Sequence, residues 1–416
     1  MVGTGVFTSL GFQLQEIQSG FVLLLLWVVG GIIALAGAVS YAELGAVLPR
    51  SGGEYNFLAR IYHPAAGFVS GCISTIMGFA APAALIAITF GTYIASAFPS
   101  QSPKLWAICL ILVLTSIHAT TRLAGARVQK STTFLKIMLI VLFCLVAWFW
   151  APVIQPISFS PSFDQLSLIT SGAFAVALIY VSYAYTGWNA VTYMMDELEN
   201  SEKVLSGVMS KGTLIVVGLY LLLNFTFLVT TPIDLMAGRV EIGYVVADHV
   251  FGRDGATFMG IVLAVLLIST LSALTIAGPR VLLVLGQDFT KLRRFAKTNQ
   301  AGVPYVAVLT QSALSLVFIA TASFDFILVF AGFALGLNSF LTVFGVFILR
   351  WQKRAPGTNY QIPFYPLPPL LFLALMGWTL FHIMSLRPVE AWTSIGVMAI
   401  ATILYMLLRD RLSPKP

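Results

Sequence analysis

An all-α polytopic membrane protein is the fold class this sequence predicts, and three observations carry it. Hydrophobic residues make up 58% of the 416 and charged residues only 9%, where a soluble domain carries about a quarter charged. The apolar residues fall into runs long enough to cross a bilayer, which takes about 20 residues per helix. Two runs are broken by glycine, at Gly3-Thr4-Gly5-Val6-Phe7 and at Tyr183-Ala184-Tyr185-Thr186-Gly187-Trp188. A break inside a bilayer strands backbone N–H and C=O groups, each costly unless protein, water or ligand satisfies it. Two breaks about half a chain apart predict a transporter site between inverted repeats.

The elements follow in order. A half-helix over 5–13 leads into apolar runs at 21–48, 65–97, 104–121 and 128–152. After a loop come 168–195, with the break near 183–187, then 211–230, 255–285, 304–322, 324–350, 365–386 and 391–408. Runs beyond 25 residues should tilt or project from the bilayer. The segment 232–254, with four acids and two arginines, reads as an external loop with short helical pieces. The proline-rich stretch after Arg350 (Pro356, Pro363, Pro366, Pro368, Pro369) reads as a stiff connector.

Counting an inner half of helix 1 that is missing before Gly3, the breaks fall in helices 1 and 6. The chain is then a single membrane domain, 1–416. Its first five-helix repeat spans 1–152 and lacks the start of helix 1, its second spans 166–350, and helices 11 and 12 occupy 363–408. Paired glycines also let neighbouring helices pack closely, but two matching breaks favour a site.

Charge placement sets the topology. Eighteen of the 23 basic residues, among them Arg50, Arg60, Arg122, Arg127, Lys130, Lys203, Arg350 and Arg409, sit in alternate loops. By the positive-inside rule those loops are cytoplasmic. The formal charge of +7 is therefore topology, and no nucleic-acid partner is expected. No secretory signal pattern is present. Cys72, Cys109 and Cys144 lie in apolar runs and suit buried packing better than a disulfide frame or metal site. No paired aspartates, metal motif or Ser/His pair lies at catalytic spacing inside the spans. An enzyme, a metal and a cofactor are all unexpected.

Five segments in order carry a family resemblance. They are Gly3 to Phe7; Gly37 to Gly45 with Leu48-Pro49-Arg50-Ser51-Gly52-Gly53-Glu54-Tyr55; Tyr185 to Asn189 with Asp196-Glu197; Gly278-Pro279-Arg280 with Gly286-Gln287-Asp288; and Arg350 to Pro366. Together they resemble the amino acid–polyamine–organocation transporter superfamily over nearly the whole chain, and most of all its L-type, sodium-independent branch. Members have a half-helix before the glycine break, so the start has been assigned too late, the chain is a fragment, or helix 1 has lost its inner half; the resemblance favours a mis-assigned or truncated start.

A zwitterionic amino acid presents a carboxylate and an ammonium a few Å apart. N–H groups at a half-helix N-terminus suit the carboxylate, with Gly3 and Gly5 allowing close approach and Thr4 adding a donor. Carbonyls freed at the second break, around Tyr183, Ala184 and Thr186, suit the ammonium. Neither break holds a charged side chain, which would be expensive there. The resemblance implies that Tyr183 is an aromatic gate, with Tyr185, Gly187 and Trp188 completing the break. Thr186 departs from the smaller glycine common in similar transporters, and its bulk or hydroxyl would narrow the pocket toward small or polar substrates.

Lys136 lies nine residues beyond Arg127, roughly 13 Å along a helix at 1.5 Å per residue. That is near the middle of a hydrocarbon core about 30 Å thick. The spacing Arg127-Val128-Gln129 to Lys136 resembles helix 5 of sodium-independent amino acid transporters, whose lysine stands where relatives hold sodium. The resemblance implies that Lys136 bonds the Gly3 region and Ser269, Thr270 or Ser272 of helix 8. A snorkelling lysine is the plain alternative. Glu43 reads as an interfacial or loop-pairing acid, while Glu54 and Arg60 read as ordering the first cytoplasmic loop. Asp196, Glu197, Glu199 and Glu202 read as gate or solvated-face acids, and His118 as locally satisfied.

The expected function is alternating-access transport of neutral L-amino acids, sodium-independent, by exchange or facilitated transport, in the cell membrane (the inner membrane if bacterial). Proton symport is the next mode. A polyamine or cationic amino acid permease would want a carboxylate near the pocket, and neither break offers one. From another class, a transport-inactive sensor would bind amino acid without counterflow. The expected partners are the amino acid and the lipid bilayer, with no obligatory protein partner evident.

Overall fold

The computed structural model describes residues 2–98, 100–121, 126–197, 201–352 and 360–408, without the side chains of 126–130, 194, 196, 197, 201–204 and 206. The expectations for Arg122, Arg127, Lys130, Lys203 and Arg409, and for the acids Asp196, Glu197, Glu199 and Glu202, lie outside the described residues or side chains.

The described residues form twelve main helices and no strand. They are α1 (Gly5–Gln13), α2 (Gly20–Val47), α3 (Pro64–Ala97), α4 (Pro103–Thr120), α5 (Ala126–Trp150) and α6 (Gly172–Tyr185). There follow α7 (Ser201–Thr230), α8 (Ile242–Ala277), α9 (Tyr305–Thr321), α10 (Phe324–Trp351), α11 (Leu367–Leu386) and α12 (Pro388–Leu408). Nine helices among the described residues are long and apolar enough to cross a membrane, and the bent pair Phe163–Ile169 with Gly172–Tyr185 makes a tenth. The chain is a multi-pass membrane protein.

Helix starts follow ordinary capping rules. Ser19, Ser171 and Ser323 accept from the backbone N–H three residues on, which satisfies one orphan donor at each N-terminus. Pro103 and Pro388 open α4 and α12, where a missing N–H costs nothing. In α3 a π-helical stretch, Ser74–Ala80, interrupts the regular turn.

Two boundaries differ from expectation. Helix α7 starts ten residues before 211, because its polar first turns still propagate a helix outside the apolar run. Helix α8 reaches back to Ile242, through a kink at Gly252 with φ +73°. That value is open to glycine at little cost, so the external helix and the span run together.

Helices α2, α3 and α10 are the most enclosed spans, whereas α5 and α12 turn most of their surface outward. Helix α1 packs on α6, α2 on α7, and α3 on α8. Helix α5 lies against α7 and α8, while α10 lies against α2 and α3. Exchanging each helix for the one five places away turns the first of these arrangements into the second.

Candidate functional site

The two breaks meet. Helix α1 begins at Gly5, and a Cβ placed there would sit 2.4 Å from the Cα of Ala184. Only a glycine lets the helices approach so closely. Helix α6 stops at Tyr185, and Gly187, at φ +97°, turns the chain before a 3₁₀ segment at Ala190–Glu197. The break thus runs through Thr186–Asn189, a little beyond the predicted centre. Deeper along α1, Ser9 donates to the Tyr180 carbonyl at 3.1 Å and fastens the outer half-helices together.

Several of the stranded backbone groups have intramolecular partners. The carbonyl of Tyr183 accepts from the backbone N–H of Thr186 at 3.0 Å and from its hydroxyl at 2.6 Å. The Thr186 hydroxyl is therefore turned back on its own helix end, and it is the bulk of this residue that faces the cavity. The carbonyl of Ala184 accepts from the Tyr220 hydroxyl at 3.0 Å. That hydroxyl, on α7, also accepts a backbone hydrogen bond from Gly3. One fully buried phenol thus joins the amide of the first break to the carbonyl of the second. Tyr220 escaped the sequence reading, because an aromatic in an apolar run gives no sign of which neighbour its hydroxyl meets.

Tyr183 is buried with its phenol beside the Thr4 hydroxyl. Thr4 is itself buried, and its carbonyl accepts from the Phe7 N–H and the Thr8 hydroxyl. Tyr185 points the other way. Its hydroxyl donates to the Trp27 carbonyl at 3.1 Å, and its ring packs on Trp27 and Tyr220. Trp188 lies edge-on to Tyr41 at 4.6 Å and fills the space over Gly37.

One cavity lies beside the α1 break and a second beside the α6 break. The first holds about 590 Å³ including its mouth, and Gly3, Phe7, Tyr93, Lys136, Leu263 and Thr270 are among its lining. The second holds about 450 Å³ between α2, α6, α10 and α11, with Tyr183, Tyr185, Thr186 and Trp188 on its wall. No acid lines either cavity among the described residues.

Lys136 on α5 is 6% exposed, and its ammonium donates to the Thr270 hydroxyl of α8 at 2.6 Å. It does not snorkel. Of the three helix-8 candidates only Thr270 meets it. Ser269 donates to Thr132 at 3.0 Å, and Ser272 pairs with His118 at 2.8 Å. Lys136 and Gly3 share the first cavity. Glu43 is bound by both arms of Arg350, at 2.7 and 2.6 Å, and by the Ile362 N–H at 2.8 Å. It pairs the end of α2 with the end of α10, as a loop-pairing acid should.

A helix broken at Thr186–Asn189 and packed on α1, with a buried lysine close by in an apolar bundle, is the architecture of a membrane carrier. The comparisons with known proteins agree. The amino acid permease family model matches residues 1–408, and the chain belongs to that family. It is 28% identical over 382 residues to the serine/threonine exchanger SteT of Bacillus subtilis, covering 90% of this chain and 85% of that protein. It is 28% identical to the human large neutral amino acids transporter small subunit 2, over 98% of this chain and 77% of the relative. The mouse b(0,+)-type amino acid transporter 1 is 24% identical, over 92% of this chain and 80% of its own length.

Proposed function

We propose that the chain exchanges neutral L-amino acids across the cell membrane by alternating access, without sodium. The observation that carries this reading is the direct contact of the two breaks, Gly5 on Ala184, with a backbone amide and a backbone carbonyl held on one Tyr220 hydroxyl. A donor and an acceptor this close suit the carboxylate and ammonium of one zwitterion. In the proposed cycle the substrate takes over the Gly3 and Ala184 groups, with Thr4, Gly5 and Tyr183 around it and Thr186 and Gly187 limiting its side chain. Lys136, on Thr270, braces the first break with a fixed ammonium in place of a bound cation. The two five-helix units, 1–152 and 166–350, move relative to each other, and helices 11 and 12 lie outside that symmetry.

The absence of a carboxylate from both cavities among the described residues argues against a polyamine or a cationic amino acid as the main cargo. Proton coupling is the second mode, because a buried ammonium with a hydroxyl partner is expensive to keep charged. The names of two relatives, a serine/threonine exchanger and a large neutral amino acid transporter, support a neutral substrate. The second of these is named as a small subunit, a point against action without a protein partner.

Counterflow of radiolabelled serine, threonine, leucine and lysine into liposomes tests this reading. Exchange of the neutral set with no sodium gradient supports it. A requirement for sodium, or binding without counterflow, overturns it.

A further inference from the structure

Glu54 was expected to order the first cytoplasmic loop, and it does more. Its side chain is 2% exposed. One oxygen accepts from the Tyr41 hydroxyl at 3.0 Å and from the Asn189 amide at 2.6 Å, and the other accepts from the Tyr193 hydroxyl. All three donors are neutral. Tyr193 also meets the Ser74 hydroxyl of the α3 π-helical stretch at 3.3 Å, and its ring lies over Gly53, whose N–H donates to the Thr192 carbonyl at 3.1 Å.

Among the described residues no cation is paired with this buried carboxylate, so its hydrogen bonds, stronger for the charge they meet, hold it. Two of its three donors, Asn189 at the end of the α6 break and Tyr193 just past it, lie on a segment that no α-helix continues into. Tyr41 lies on α2, one of the enclosed spans. If the segment swings away, Glu54 keeps one donor and must be rehydrated, so water has to reach it. Opening of the inner pathway and hydration of Glu54 are then one event.

We infer that Glu54 is a positioning residue of the transport cycle, acting through Asn189 and Tyr193 to fix the inner half of helix 6 and set how often the inner pathway opens. This rests on the exchanger reading for its role in transport, but its geometry can be tested without transport.

The test uses the full chain in liposomes, with Cys72, Cys109 and Cys144 replaced by alanine and Thr192→Cys, a fully buried position, as reporter. A membrane-impermeant maleimide is applied to the cytoplasmic face. Glu54→Gln and Tyr193→Phe should each raise the labelling rate about tenfold, as depopulating a closed state allows. Their combination should add little to Glu54→Gln alone, because Tyr193→Phe removes a bond that Glu54→Gln already weakens. Should Glu54→Gln fail to fold, Tyr193→Phe and Asn189→Ala decide in its place. Unchanged labelling, or effects that multiply, overturn the assignment. In exchange assays the same variants should lower KM at the inner face and raise it at the outer face. A merely destabilised protein loses active molecules and leaves both values alone. A chain that labels as expected but exchanges nothing overturns the exchanger reading and leaves Glu54 in place.

Discussion

Gly5 and Ala184 touch so closely that the Cβ of any other residue at position 5 would lie 2.4 Å from the Ala184 Cα and 2.7 Å from its Cβ. Real contacts of that kind do not occur, and the obstacle is backbone, which cannot rotate aside. Gly5→Ala should therefore push α1 off α6 and disturb both breaks together. Overpacking of this kind costs about 1–3 kcal/mol, which a thermal melt in detergent would register. Counterflow should fall at least tenfold more than the lost folded fraction explains. Near-normal exchange by Gly5→Ala would show that the tight contact is dispensable.

Lys136 and Thr270 supply the next expectation. Their 2.6 Å bond is the ammonium's hydrogen bond to a protein side chain in a buried setting. Thr270→Val keeps the shape and removes the acceptor, leaving a charged donor unmet at a penalty of about 1–3 kcal/mol or more. Exchange should drop sharply in Thr270→Val and in Lys136→Met, while Ser272→Ala, which touches His118 instead, should stay within about twofold of the parent, as expected for a net hydrogen bond of modest worth. Equal sensitivity at Ser272 would contradict the division of labour seen on α8.

How far the site was legible can be judged on these residues. Spans were readable because hydropathy integrates over many positions, and the breaks because glycine and local polarity stand out in an apolar run. Lys136 was readable because a lone charge in such a run has few reasons to be there. Which hydroxyl it meets was not, since Ser269, Thr270 and Ser272 differ only in their angle around α8. Tyr220 was hidden for the same reason, as hydropathy says that a tyrosine is inside but not which way it faces. Sequence leaves open whether the bulk or the hydroxyl of Thr186 narrows the pocket, and the structure turns the hydroxyl to the Tyr183 carbonyl three residues back while the residue still lines the cavity. Helix ends at α7 and α8 were misjudged where a polar or kinked stretch continued the backbone ladder beyond the apolar run.

Tyr220 makes a prediction that separates a structural clasp from a stand-in for substrate. Tyr220→Phe keeps the ring between Trp27 and Tyr185 but releases the Ala184 carbonyl and the Gly3 amide. Losing these bonds should destabilise the empty protein by about 1–3 kcal/mol. If the substrate claims the same two groups, a saturating neutral amino acid should stabilise Tyr220→Phe more than the parent. Thermal shifts measured with and without serine or leucine would read this directly. A smaller ligand-induced shift in the variant would mean that Tyr220 itself helps bind the substrate.

The opposite end of the bundle from Glu54 is fastened by a different set of groups, and they reach α11 and α12. Arg387, between α11 and α12, bonds both Asp325 at the start of α10 and Glu390, and its Nη1 lies 3.3 Å from the Tyr180 hydroxyl of α6. Tyr180 in turn donates to Asp325 at 2.5 Å, and the Phe12 ring of α1 stacks between Tyr180 and Phe324 at 5.6 Å from each. Removing the cation leaves Asp325 and the buried Glu390 facing each other as like charges, so Arg387→Gln should loosen the outer closure rather than merely weaken the fold. The expected signature is the reverse of that at Glu54: KM at the outer face falls and KM at the inner face rises. The guanidinium is partly exposed, at 26%, and salt weakens ion pairs that water can reach. The difference between parent and variant should therefore narrow as ionic strength rises. Sided exchange measurements in oriented liposomes at low and high salt would check both points. Equal shifts of KM on the two faces would mean that Arg387 holds the helices together without biasing which side opens.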